Sequence, residues 1–162
     1  MKSLLIAIIG LTLLTSCEKK EADAIQQENA FSFKIDGQEY APLPVNVDIQ
    51  NLSEIPFVGI YGEFGTEESL FLTIRQDVQP GTHSIDLSNK LGETQSQARY
   101  FYPSLSTPDV ANSADAIEGT LIIKTNDTDN RRMSGTFFFD TFQIENDDPI
   151  FQITDGVFDV SY

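Results

Sequence analysis

From Ala30 onward the apolar residues recur at a period of two. Phe31, Phe33 and Ile35 alternate with Ser32 and Lys34, which predicts a strand with one buried face. Asp36-Gly37 then marks a tight hairpin into Glu39-Tyr40-Ala41, because both residues tolerate the positive φ that such turns demand. Val45-Asn46-Val47-Asp48-Ile49 alternates again, whereas Phe57 to Tyr61 and Leu70 to Ile74 are apolar on both faces, as central strands would be. Gln79-Pro80-Gly81-Thr82 reads as a turn leading into Ser84 to Leu87. Arg99-Tyr100-Phe101-Tyr102 is a further strand ending at Pro103, and Ser104 to Ala116, with Pro108 inside it, reads as a loop. Gly119 to Thr125 and Arg132 to Phe139 flank Asn126-Asp127-Thr128-Asp129-Asn130, a long hairpin with a polar tip. Phe151 to Ile153, Asp155-Gly156 and Val157 to Tyr162 predict a last hairpin. No stretch after Asn29 holds a helical period. About nine short strands separated by turn residues predict an all-β domain over residues 30–162. The expected architecture is an antiparallel β-sandwich, Ig-like or jelly-roll-like, with a partly open barrel as the alternative.

The stretch before Ala30 follows a different rule. Met1-Lys2 is a short positive start, and Leu4 to Leu14 is almost uninterrupted by polar groups. That is the layout of a secretory signal peptide over residues 1–16, and the run is too short for the roughly 20 apolar residues of a membrane-spanning helix. Leu14-Thr15-Ser16-Cys17 resembles the bacterial lipobox, in which the thiol receives a diacylglycerol and the peptide before it is removed. Cys17 is the only cysteine, so no disulfide framework competes for it. Two or three acyl chains, each contributing about 0.8 kcal/mol per buried CH₂, make a stable anchor. Residues 17–29 hold one large apolar side chain among many charges and read as a flexible tether of about 40 Å at full extension. Glu18, rather than the Asp associated with inner-membrane retention, follows the cysteine. The expected address is therefore the outer membrane, lipid-anchored, with the domain surface-exposed or periplasm-facing.

A net charge of −15 narrows the partners. Such a surface repels nucleic-acid phosphates and anionic headgroups, so the expected contact with a bilayer is through the acyl chains alone and nucleic acid is not expected. The simplest role of the charge is to keep an exported domain soluble.

The chemistry-bearing residues are few. His83 is the only histidine, and any Ser-His-Asp or histidine-ligated zinc site would have to be built on it. It follows a turn, where a solvated histidine is ordinary. The chain contains no nucleophile elbow, phosphate loop or dinucleotide fingerprint. Glu67-Glu68 and Asp147-Asp148 are adjacent carboxylates in expected turns, and neighbours on a strand point to opposite faces, so adjacency makes no acid–base pair. Asp127 and Asp129 are candidate calcium ligands within half of an EF-hand-like pattern, but the Gly and Glu that complete such a loop are missing. Asp and Asn also form turns through their own side chains, and that reading is preferred. Tyr100 and Tyr102 are candidate ligand-stacking residues: with Phe101 pointing inward, they would share the opposite face. No cofactor is expected, and no catalytic residue is assigned.

Taken in order, several segments resemble small Bacteroidetes-type lipoproteins whose β-domain has no assigned function. They are the lipobox with its charged tail, Phe31 to Gly37, Pro80-Gly81-Thr82, Arg132 to Phe139, and Ile153 to Phe158. The resemblance spans nearly the whole chain, implies an envelope address and a β-domain, and brings no catalytic residues with it. The expected function is a non-catalytic binding or adhesion module reading an unknown extracellular or periplasmic ligand. The alternative is a structural or accessory subunit of an envelope complex, and a hydrolase has the least behind it.

Overall fold

The computed structural model describes residues 28–52, 54–85, 96–103, 111–141 and 150–162. Residues 1–16, Cys17 and most of the tether lie outside them, as do Asp86, Leu87, Asp147 and Asp148. Among the described residues all regular structure is strand: β1 (Ala30–Ile35), β2 (Gln38–Tyr40), β3 (Val45–Leu52), β4 (Ile55–Glu63), β5 (Ser69–Arg75), β6 (Gly81–Ile85), β7 (Ser96–Pro103), β8 (Ala111–Asp127), β9 (Arg132–Thr141) and β10 (Gln152–Ser161). They form one curled antiparallel sheet, a half-barrel, in the order β2-β1-β10-β9-β8-β7-β5-β4-β3, with β6 pairing to β8. The all-β expectation holds, with its partly open barrel closest to the observed shape.

The predicted hairpin at Asp36-Gly37 is present. Asp36 and Gly37 have φ of 49° and 84°, the doubly positive pair that matches the twist of the flanking strands. β2 and β3 are neighbours in sequence yet lie at opposite ends of the strand order. The Ala41–Pro44 segment therefore draws the two ends of the sheet together. Pro42 is buried against Gly62 of β4, and the Leu43–Pro44 peptide is cis. Gly62 has no Cβ, and one placed there would collide with the Pro42 ring, so this position admits the connection because it is glycine.

β8 does the bending. Arg99 to Pro103 of β7 pair with Asp115 back to Ala111 at its start, while Ala116 onward pairs with β9. The register slips between Ala116 and Glu118, a bulge at Ile117 where the strand passes from one half of the curl to the other. The loop expected over Ser104 to Ala116 is thus corrected: the strand begins at Ala111. The run Ala111-Asn-Ser-Ala-Asp-Ala is poor in β-branched and aromatic residues, and pairing with β7 overrides its weak propensity.

The hairpin expected at Asp155-Gly156 is also corrected. β10 is one strand, and its register against β9 shifts between Ile153 and Gly156, with Asp155 at φ 51°. The pair makes a bulge instead of a turn. The reason lies across the ladder: the Phe137 ring lies over Gly156, and a Cβ there would meet three ring atoms at 2.6 Å.

The core is aromatic at its centre. Phe31, Phe33, Phe137 and Phe139 are buried, with Phe31–Phe137 centroids 5.6 Å apart and Phe137–Phe139 6.3 Å. Phe64, in the turn after β4, reaches Phe33 at 5.2 Å, Tyr40 at 4.6 Å and Tyr100 at 6.2 Å. That single residue joins the two ends of the curl to its middle. Leu70, Leu72, Ile74, Ile60 and Val58 complete the packing from β4 and β5.

Candidate functional site

The geometry reverses the facing expected for β7. Tyr100 is 3% exposed and Tyr102 is 8% exposed, both packed inward against Phe151 at 4.8 and 4.9 Å. Phe101 takes the outer face. This corrects the placement of Tyr100 and Tyr102 as outward stacking residues: they are core. The signal was in the same strand. Ser96 and Ala98 are small and buried while Arg99 is exposed, and period two carried from Arg99 puts Phe101 outside.

The outer face of the β4-β5-β7 region displays its own aromatics. Cross-strand pairing sets Asn46, Tyr61, Phe71, Arg99 and Asp115 in one row, and Glu63, Ser69, Phe101 and Ser113 in the next. Tyr61, Phe71 and Phe101 are each half-buried, and the Tyr61–Phe71 centroids are 6.2 Å apart. Gly59 makes the room, since a Cβ there would meet Asp48, Gln50 and the tip of the Phe71 ring. Sequence reasoning missed Tyr61 and Phe71, because Phe57 to Tyr61 and Leu70 to Ile74 read as apolar on both faces, and it missed Phe101 because that ring was expected to point inward.

Beside them lies an open cleft of ≈ 480 Å³ lined by Tyr61, Glu63, Gly65, Glu67, Glu68, Ser69 and Phe101. The turn from β4 to β5 builds one wall. Phe64 N–H donates to the Glu68 carbonyl at 3.1 Å, and Glu67 sits at φ 65°. Gly65 lets the Glu68 side chain fold back over the turn, where its Oε1 accepts the Tyr100 hydroxyl at 2.7 Å. Burial first, and then that hydrogen bond, push the Tyr100 phenol well above the ordinary tyrosine range. Tyr61 donates to Glu63 Oε1 at 2.7 Å. Burial raises its pKa too, with a hydrogen bond to Ser69 opposing and Glu63 adding. At neutral pH the cleft therefore presents ring faces, a neutral phenol and carboxylate acceptors. It suits a ligand that offers C–H faces and O–H or N–H donors. Arg99, opposite Phe71 in the neighbouring row, is held by Asp115 in a bidentate pair, with Nη2 to Oδ2 at 3.1 Å.

The other expected residues are placed elsewhere. His83 Nε2 bonds the Gln79 carbonyl at 2.7 Å, tying the turn to β6. In the β8–β9 tip, Asp127 accepts the Asn130 backbone N–H at 2.9 Å and its side-chain amide at 2.6 Å. Those bonds hold the Asp127 carboxyl below the usual carboxylate range. Both of its oxygens serve the turn, and no group of three or more His, Cys, Asp or Glu able to hold a metal occurs among the described residues. Asn126 turns inward instead, donating to the carbonyls of Gln76 and Val78 at 2.8 Å each and accepting the Tyr162 hydroxyl at 3.1 Å. Glu67-Glu68 occupies a turn as expected, and Asp147-Asp148 lies outside the described residues.

A second patch lies on the outer face of β8-β9-β10. Ile122, Phe138 and Val157 are 39%, 51% and 42% exposed, around a shallow groove with Thr136 and Asp155.

No curated protein and no solved structure matches the chain. The family model of a domain of unknown function, DUF6252, matches residues 27–160, so the chain belongs to that family.

Proposed function

We propose that the chain is an outer-membrane lipoprotein anchored through Cys17, and that its β-domain is a non-catalytic module binding a saccharide on the outer face of β4, β5 and β7. The observation that carries the binding reading is the Tyr61–Phe101 cleft, whose half-buried rings lie beside Glu63, Glu67 and Glu68. A sugar ring stacks its C–H face on an aromatic plane while its hydroxyls donate to flanking carboxylates, and both partners are in place here. The lipobox at Leu14 to Cys17 and the short apolar leader support the anchor. His83, bound to the carbonyl of its own turn, leaves the non-catalytic reading undisturbed. Screening the protein against an array of envelope and extracellular glycans tests the binding reading, with Tyr61→Ala and Phe101→Ala as controls. Glycan binding lost in both folded variants supports it, and binding untouched by either refutes it. Cys17→Ala, followed by membrane fractionation, tests the anchor: a variant retained as firmly as the wild type refutes that part.

The accessory-subunit reading has one observation of its own. Three large apolar side chains exposed together at Ile122, Phe138 and Val157 suit contact with another envelope protein. Co-purification from solubilised membranes that is lost in Phe138→Ser distinguishes it from the saccharide reading.

A further inference from the structure

β3 ends the strand order and, among the described residues, hydrogen-bonds on one side only, to β4. Which of its groups face outward follows from one bond. Pro56 stands opposite Asn51, and its carbonyl accepts the Gln76 N–H at 3.0 Å, on the side away from β3. Asn51–Pro56 is thus a non-hydrogen-bonded pair. Antiparallel pairs alternate, so Val45, Val47, Ile49 and Asn51 aim their N–H and C=O groups at the free edge. Three of these same residues carry apolar side chains on the inner face. Val45 and Val47 are only partly buried, and Ile49 is 39% exposed. Unused backbone pairing and half-covered apolar surface coincide along one line.

Edge strands are ordinarily guarded by shortness, bulges, proline or lysine. β2, at the other end, is three residues long. β6, which among the described residues pairs only with β8, is five residues long, and Ser96 Oγ already donates to its Ser84 carbonyl at 2.9 Å. β3 has eight residues, an unbroken register with β4, and neither Pro, Lys nor Arg. Its outer face presents Asn46, Asp48 and Gln50, with Glu63 on the neighbouring strand, and β4 carries no cation either. A second copy of the chain would bring a net −15 against −15, so charge complementarity selects a basic occupant.

We propose that the free edge of β3 is a strand-addition site for an extended segment of a basic partner protein. Its apolar residues extend the cover over Val47 and Ile49, and alternating Lys or Arg residues lie beside Asp48 on the outer face. Main-chain bonds to Val45, Val47, Ile49 and Asn51 hold the segment, and side-chain alternation gives the selectivity. This site is distinct from the Tyr61–Phe101 cleft and does not depend on the saccharide reading.

Amide hydrogen exchange on the full-length chain in detergent tests it, with a synthetic peptide alternating lysine and valine as the probe. Without peptide, the amides of Val45, Val47, Ile49 and Asn51 should exchange fast while those of Asn46, Asp48 and Gln50 are protected. The basic peptide should slow the first set by about tenfold or more, and a peptide alternating glutamate and valine should leave them unchanged. Ile49→Lys, which places a guard charge at an already exposed position, should abolish that protection. Asp48→Lys should weaken the basic peptide and admit the acidic one. The proposal is overturned by an absence of protection at saturating peptide, by equal protection from both peptides, or by protection that grows with protein concentration alone.

Discussion

If Asp155-Gly156 is a bulge beneath Phe137, the cost of adding a methyl group at Gly156 depends on what stands at position 137. Gly156 is not among the residues with positive φ, so alanine is conformationally admissible and the obstacle is steric. The added Cβ would stand 2.6 Å from three atoms of the Phe137 ring, which Phe31, Phe33 and Phe139 hold at centroid distances of 5.6, 6.4 and 6.3 Å. Forcing that ring aside costs about 1–3 kcal/mol. Replacing a strand glycine by alanine returns about 0.5–1 kcal/mol, so Gly156→Ala should destabilise by a net of about 0.5–2 kcal/mol. Phe137→Ala alone should cost about 3–5 kcal/mol, within the ~5–15 kcal/mol that a domain of this size has. In the Phe137→Ala background the obstacle is gone, and Gly156→Ala should become neutral or stabilising by about 0.5–1 kcal/mol. Equilibrium urea unfolding of the four proteins measures the coupling, provided the m-values agree. A hairpin with glycine at positive φ would penalise alanine whatever stood at 137. An unchanged cost of Gly156→Ala in both backgrounds would therefore refute the bulge.

Further outcomes follow from the hydrogen bonds. Tyr100→Phe should cost about 1–3 kcal/mol at neutral pH, because the Glu68 carboxylate loses a charge-assisted donor. The raised phenol pKa keeps Tyr100 neutral in the folded protein while its unfolded counterpart ionises near pH 10, so stability is intact below pH 10 and falls above it. Thermal melts from pH 8 to 11 should show a shallower alkaline fall in Tyr100→Phe than in the wild type. At the β8–β9 tip, Asn126→Ala should lose about 2–3 kcal/mol with its two bonds to Gln76 and Val78, whereas Asp129→Ala should change stability by less than about 0.5 kcal/mol. Millimolar calcium should leave the melting temperature of the wild type unchanged. A rise that Asp127→Asn removes would restore the metal reading of this loop.

The sequence made legible whatever depended on local chemistry. Asp36-Gly37 announced a hairpin because positive φ at both positions is a property of the residues themselves. The polar tip between Gly119–Thr125 and Arg132–Phe139 was legible for the same reason. Asp155-Gly156 carries the same dipeptide and is no turn, since what fixes it is a phenylalanine across the ladder. Long-range packing of that kind leaves no mark in the neighbouring residues. Ala111 to Ala116 was unreadable as strand because its pairing with β7, and not its own propensity, makes it one. The candidate site fell between these cases. Alternation groups Tyr100 with Tyr102 and separates Phe101, but in Tyr-Phe-Tyr either set can face inward, and only Arg99 and Ala98 outside the triplet decide. Tyr61 and Phe71 were hidden by strands apolar on both faces, where outward rings look like more core.

The most direct test of the account sets Phe101→Ala beside Tyr102→Ala, measuring saccharide binding and the melting temperature for each. Phe101→Ala should lose the binding while melting close to the wild type, since its ring lies on the outer face. Tyr102→Ala should melt far lower, with a cost of about 3–5 kcal/mol, because its ring is packed in the core. A Phe101→Ala protein that binds as well as the wild type, or a Tyr102→Ala protein that keeps its stability and loses its ligand, would contradict the assignment of the binding face.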